Sequence, residues 1–102
     1  MFNITGNKGF HVQFDNGFTI SVQWGPGNYA GNREMPYTLN NLTVPASKTA
    51  EIAIFAPDGE MVPFKDGDTV QGYVTADQVL PYINAVASCT SIDNLTTQLR
   101  EL

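Results

Sequence analysis

Few residues in this chain of 102 could carry out chemistry, and the company each keeps limits what it can do. His11 is the single histidine and Cys89 the single cysteine. His11 falls in the alternating run Phe10-His-Val-Gln-Phe14, and the polar residues that share its expected face, Gln13, Ser21 and Gln23, include no carboxylate to orient an imidazole as a base. It is expected to face solvent or to touch a ligand. Cys89 follows the apolar Val86 and Ala87 with no cation or histidine nearby to lower its pKa, so a buried, inert thiol is expected. A lone cysteine forms no intrachain disulfide and has no partners for a cysteine-based zinc site. Asp58, Asp66 and Asp68 do not have the spacing of a calcium-binding loop, and Asp-Gly steps occur at turns on backbone grounds alone. No catalytic residue, metal or cofactor is therefore assigned, and the expectation is a protein that is not an enzyme.

The sharpest site candidate is the loop Gly25-Pro-Gly-Asn-Tyr-Ala-Gly-Asn-Arg33. It lacks the Gly-Lys-Ser/Thr ending of a P-loop, and its glycines do not have the dinucleotide-binding spacing. A tight turn packed by Tyr29 is one reading of it; its parts also suit a nucleotide. Glycines allow close approach to backbone amides, Asn28 and Asn32 both donate and accept, Tyr29 offers a ring for stacking, and Arg33 offers a fork for a phosphate. The candidate ligand-binding residues are Gly25, Gly27, Asn28, Tyr29, Asn32 and Arg33, together with His11.

The elements that must position this loop begin with a hairpin. A two-residue Asn16-Gly17 turn would oppose Phe14 to Thr19 and Val12 to Ser21, mixing polar and apolar partners on each face. A three-residue loop, Asp15-Asn16-Gly17, instead pairs Phe14 with Phe18, Val12 with Ile20 and Phe10 with Val22. One face then carries Phe10, Val12, Phe14, Phe18, Ile20, Val22 and Trp24; the other carries His11, Gln13, Thr19, Ser21 and Gln23. The apolar face must be covered, since each large apolar side chain contributes about 1.5 to 3 kcal/mol on full burial. A short strand is expected over Phe2 to Thr5. Between Trp24 and about Ala50 the periodicity fades, with short strands conceivable near Tyr37 to Leu39 or Leu42 to Val44. A second hairpin, turned by Pro57-Asp-Gly59, is expected to pair Ile54 with Val62 and Ile52 with Phe64, with Pro63 pushing its strand towards an edge. Asp66-Gly67-Asp68 leads into a strand over Thr69 to Val74.

The period then changes. Thr75-Ala-Asp-Gln78 has the form of a capping box ahead of Val79, Ile83, Val86 and Ala87 at helical spacing. Pro81 predicts a distorted first turn or a regular helix starting near Leu80. Ser91 caps a second helix with the stripe Ile92, Leu95, Leu99 and Leu102. The predicted fold is a single α+β domain over 1–102, an antiparallel sheet of about five to six strands built from hairpins and closed by two short C-terminal helices.

Composition narrows the partners. With a net charge of −5 and only five lysines and arginines, a groove tracking a phosphate backbone is unexpected, whereas a small anion or a basic protein surface remains compatible. No segment approaches the roughly 20 apolar residues that span a bilayer, and a cytoplasmic location is expected. The polar hairpin face and an open sheet edge both predict a homo-oligomer.

Several segments together, Phe2-Asn-Ile-Thr-Gly-Asn-Lys-Gly-Phe-His11, the Asn16-Gly17 hairpin, Ser21-Val-Gln-Trp-Gly-Pro-Gly-Asn-Tyr29, Pro57-Asp-Gly-Glu60 and Asp68-Thr-Val-Gln-Gly-Tyr-Val-Thr75, resemble a type of small protein encoded by bacteriophages and prophages. A β-rich body followed by two short helices is also similar to phage Thoeris anti-defence proteins, sponges that sequester cyclic ADP-ribose immune signals without cleaving them. That resemblance implies a phage-encoded anti-defence protein in the host cytoplasm, binding a small nucleotide signal. It carries over no ligand residue. The alternatives are an acidic inhibitor, like an anti-CRISPR factor, that acts by direct contact with a host nucleic-acid-binding effector, and a virion or assembly accessory.

Overall fold

The computed structural model describes residues 1–6, 8–25, 28–31 and 46–102. Five strands come first, β1 (Phe2–Ile4), β2 (Gly9–Gln13), β3 (Thr19–Gln23), β4 (Thr49–Phe55) and β5 (Val70–Thr75), followed by helices α1 (Ala76–Ser88) and α2 (Ile92–Arg100). Every neighbouring pair is antiparallel, and the strands lie side by side in chain order. The α+β architecture expected from the sequence is the one observed, with five strands among the described residues.

The first hairpin has the expected three-residue loop. Val12 pairs with Ile20 and Phe10 with Val22; Phe14 N donates to Phe18 O at 2.9 Å, and Gly17 takes φ +88°. The same turn occurs twice more. Ala56 N bonds Glu60 O and Phe64 N bonds Asp68 O, each at 2.8 Å, around Gly59 (φ +88°) and Gly67 (φ +89°). In all three turns the residue before the glycine, Asn16, Asp58 or Asp66, accepts through Oδ1 the amide two positions on, at 3.0 Å. A glycine in the left-handed region and an Asx side chain closing the loop are the local rule that writes three of the chain's reversals. Asp58 and Asp66 are thus accounted for as turn residues.

The second hairpin departs from expectation beyond its turn. Val62 N donates to Ile54 O at 2.8 Å and Phe55 bridges Met61, but Ile52 pairs with Gln71 rather than Phe64. Pro63 has no N–H with which to extend the ladder, and Phe64 bonds Asp68 in the next turn. The free edge of β4 is therefore shared: Met61 and Val62 at its C-terminal end, β5 along the rest. The conjectured strands at Tyr37 to Leu39 and Leu42 to Val44 lie outside the described residues.

The core lies between one sheet face and the helices, where Ile20, Ile52, Ile54, Val86 and Leu95 are fully buried and Leu99 nearly so. Phe10, Val12, Phe14 and Trp24 pack against it half-buried. Thr75 Oγ1 accepts from Gln78 N and Gln78 Oε1 from Thr75 N, so the capping box forms and α1 is regular from Ala76. Pro81 sits inside α1, contrary to the expected late start. Its missing donor faces the Asp77 carbonyl on an exposed part of the helix, where water can substitute. The helix stripes hold at Val79, Ile83, Val86, Leu95, Leu99 and Leu102, which are buried or pack against the core, but Ala87 and Ile92 are exposed and Ala85 is buried in addition. Among the described residues no helix is long and apolar enough to cross a membrane.

Candidate functional site: a two-tyrosine groove at the β5 edge

The loop after β3 lies against the outer edge of β5 because that strand is interrupted. Ala50 pairs with Val74 and Ile52 with Gln71, leaving Gly72 and Tyr73 to oppose the single residue Glu51. This bulge puts Tyr73 at φ +54°, a left-handed conformation that side-chain-bearing residues rarely adopt. Gly72 lets the loop come close, since a Cβ there would meet Tyr29 Cβ at 2.8 Å. The loop is then tied down by its backbone. Tyr73 N donates to Tyr29 O at 2.8 Å, Tyr29 N to Glu51 Oε2 at 2.7 Å and Gly31 N to Thr49 Oγ1 at 2.9 Å. Ala30 is buried beneath it.

These ties hold the backbone, and both rings are partly exposed. Tyr29 is 47% exposed and Tyr73 55%, and both border a shallow groove of about 430 Å³ that is lined, among the described residues, by Asp68, Thr69, Val70 and Gly72 as well. Two amphipathic rings on pinned backbone at one groove can each offer a face to a flat ligand at low ordering cost. The Asp68 carboxylate favours hydroxyl or amino donors and disfavours a phosphate immediately beside it.

The residues expected from the sequence are distributed unevenly. Tyr29 is in the groove. Asn28 is buried behind it, and its Nδ2 has no hydrogen-bond partner among the described residues. Gly25, at φ +116°, turns the chain out of the sheet and accepts Asn28 N at 3.2 Å. Gly27, Asn32 and Arg33 lie outside the described residues. His11 does not line this groove. It borders another one with Gln13, Thr19 and Phe55, its ring centroid 6.0 Å from that of Phe55 and its Nε2 3.5 Å from Gln23 Nε2, while Gln23 also donates to Ser21 Oγ. The Gln23 amide and the Phe55 ring are the groups shown beside this imidazole, with the Ser21 hydroxyl bonded to that amide.

Gly72, Tyr73 and Glu51 are not assigned to a ligand site by the sequence, where Asp68 is considered only as a metal ligand and read as a turn residue. The available signal was a glycine interrupting a strand pattern at Gly72, which marks a bulge or a close backbone approach. Cys89 is buried as expected. Its Sγ donates to Val86 O at 3.3 Å, and burial raises the thiol pKa, which keeps it protonated. Among the described residues no group of three or more His, Cys, Asp or Glu side chains could hold a metal ion. No protein-family model, curated protein or solved structure matches the chain.

Proposed function

We propose that the chain is a non-catalytic binding protein that holds a small nucleotide-like ligand at the Tyr29–Tyr73 groove. In the bacteriophage setting that its sequence resembles, it sequesters a nucleotide immune signal without cleaving it. The observation that carries this reading is Tyr73, an exposed aromatic residue kept in a left-handed conformation by the strand and loop around it. Such strain persists only where surrounding structure over-determines it, and it concentrates at ligand sites. A base stacked on an aromatic side chain is worth about 1–3 kcal/mol, so two rings could supply a micromolar site once ribose contacts are added. The non-catalytic part rests on the amide and ring neighbours of His11 and the buried, protonated Cys89.

Titration of the purified protein with adenosine, ADP-ribose, cyclic ADP-ribose isomers and cyclic dinucleotides, followed by heat release and chromatography, tests it. At least one compound should bind, return intact, and lose tenfold or more in affinity in the Tyr29→Ala/Tyr73→Ala variant, in line with the stacking energy. No binding, a hydrolysed product, or an unchanged affinity in that variant overturns the reading.

A second reading, inhibition by direct contact with a basic host effector, is favoured by the four exposed carboxylates Asp58, Glu60, Asp66 and Asp68 on two neighbouring turns. Glu51 is instead engaged by the Tyr29 amide, and Asp68 also borders the tyrosine groove. A stoichiometric partner captured from host lysate, released by Glu60→Lys or by salt, would favour this reading over sequestration.

A further inference from the structure

β1 is one outer strand of the sheet, and its outward edge is unpaired among the described residues. Gln13 N donates to Met1 O at 2.8 Å and Thr5 N to Gly9 O at 3.0 Å, so the backbones of Met1 and Thr5 turn inward to β2. Strand alternation turns Asn3 inward as well. The N–H and C=O groups of Phe2 and Ile4 consequently point out of the sheet. Their side chains lie opposite Val12 and Phe10, on the helix-bearing face. Yet α1 packs against β3, β4 and β5 only, leaving Phe2 81% and Ile4 85% exposed, with Met1 at 76%. Natural edges are usually blunted by charge, proline or a bulge. Phe2-Asn-Ile4 carries none of these.

We propose that this edge pairs with the same edge of a second copy of the chain, forming a two-fold dimer with one continuous antiparallel sheet. The second copy is the occupant because the edge is complementary to itself. With the two-fold axis at Asn3, Phe2 faces Ile4 of the second copy, and their outward N–H and C=O groups make four hydrogen bonds with none left over. The Phe2 and Ile4 side chains of both copies meet on one face and extend the apolar surface begun by Phe10 and Val12. The strand itself has no charged side chain, so a protein of net charge −5 meets its copy here without local repulsion. Three apolar side chains per copy bury on the order of 800 Å² in total, below the size of a permanent interface. The dimer is therefore concentration-dependent, with a dissociation constant on the order of 10–100 μM.

Sedimentation velocity from about 1 μM to 1 mM tests this, because the proposed constant lies within that range. The expected result is a monomer–dimer equilibrium and no larger species. Phe2→Lys and Ile4→Lys should each raise the dissociation constant tenfold or more, with an unchanged circular dichroism spectrum because both side chains are exposed. In a Cys89→Ala background, Asn3→Cys should form an intermolecular disulfide on mild oxidation, since opposed residues in a non-hydrogen-bonded pair have Cα atoms about 4.5 Å apart. Asp93→Cys, on the exposed side of α2, serves as the control. A monomer throughout, a dimer indifferent to both lysines, a larger oligomer, or an Asn3→Cys cross-link no faster than the control overturns the proposal. Tyr29→Ala/Tyr73→Ala leaves this equilibrium unchanged, so the dimer and the nucleotide site fail or stand separately.

Discussion

Asn16 occupies the turn position that Asp58 and Asp66 fill in the other two loops, and its amide explains the difference. Its Oδ1 closes the turn as theirs do, while its Nδ2 donates to Val86 O at 2.8 Å and Cys89 O at 3.0 Å, at the end of α1. The last turn of α1 has no basic residue to meet those carbonyls. Asn16→Asp would set a carboxylate against carbonyl oxygens and should cost about 2–3 kcal/mol in urea unfolding, whereas Asp58→Asn and Asp66→Asn should stay within about 0.5 kcal/mol. The cost of Asn16→Asp should shrink as pH falls towards the ordinary carboxylate value of about 4 and be absent below it, where a protonated carboxyl can donate. Equal effects at the three sites would show that the α1 contact contributes nothing. Burial raises the pKa of Cys89, and burial followed by the Asp66 charge raises that of Tyr82. Groups raised on folding contribute their stability in full below their ordinary values, 9.0 for the thiol and 10.0 for the phenol, and lose it as pH climbs through the folded values. Unfolding free energy should thus be level from neutral pH to about 8.5 and fall above it, and Cys89→Ala should move the fall to higher pH. Alkylation of native Cys89 at neutral pH should be slow enough to track unfolding.

At the scale of elements, the three turns form a graded series. Gly17, Gly59 and Gly67 have nearly the same φ, but a Cβ at Gly59 or Gly67 meets open space whereas one at Gly17 meets Pro57 Cγ at 2.9 Å. Alanine at 59 or 67 should cost about 1–2 kcal/mol from the left-handed backbone alone, and alanine at 17 about 1 kcal/mol more, measured by urea denaturation. These turns were legible in the sequence because their rule is local: an Asx-Gly pair between apolar residues whose faces match in only one register. The capping box at Thr75 was legible for the same reason. The β4–β5 ladder was not, because Ile52 had a plausible local partner in Phe64, and Gly72-Tyr73 breaks the two-residue period that register arguments need. The groove was half legible. Tyr29 stood out in its glycine-rich loop, but Tyr73 reaches it only through that bulge. Tyr73→Gly tests whether the strain is kept for binding. Relieving the left-handed residue should leave the fold as stable or up to about 1 kcal/mol more stable, after glycine's own entropic cost. The same change should weaken nucleotide binding by tenfold or more through loss of the stack. A variant that lost both stability and binding would make Tyr73 a structural residue.

For the whole molecule, strand order places the two proposed surfaces at opposite edges of one sheet. The groove borders β5 and the self-pairing edge is β1, four strand spacings apart, or about 19 Å. Only the β5 side has α1 beneath it, so the edge with a rigid backing carries the shaped site and the thinner edge is left for backbone pairing. A dimer joined through β1 would turn its two grooves outward, each built from one chain. Coupling between the two events requires that ligand and partner prefer different states of the same element, and the straight ladder from β1 to β4 offers no such pair of states. Nucleotide should therefore titrate at one per chain with a Hill coefficient near 1, and Ile4→Lys should leave its affinity within about twofold of wild type. Calorimetry at protein concentrations above and below the dimer midpoint checks this. An affinity that rises several-fold with dimer population would mean that the copies meet at the tyrosine groove itself and that the two-fold axis lies along β5.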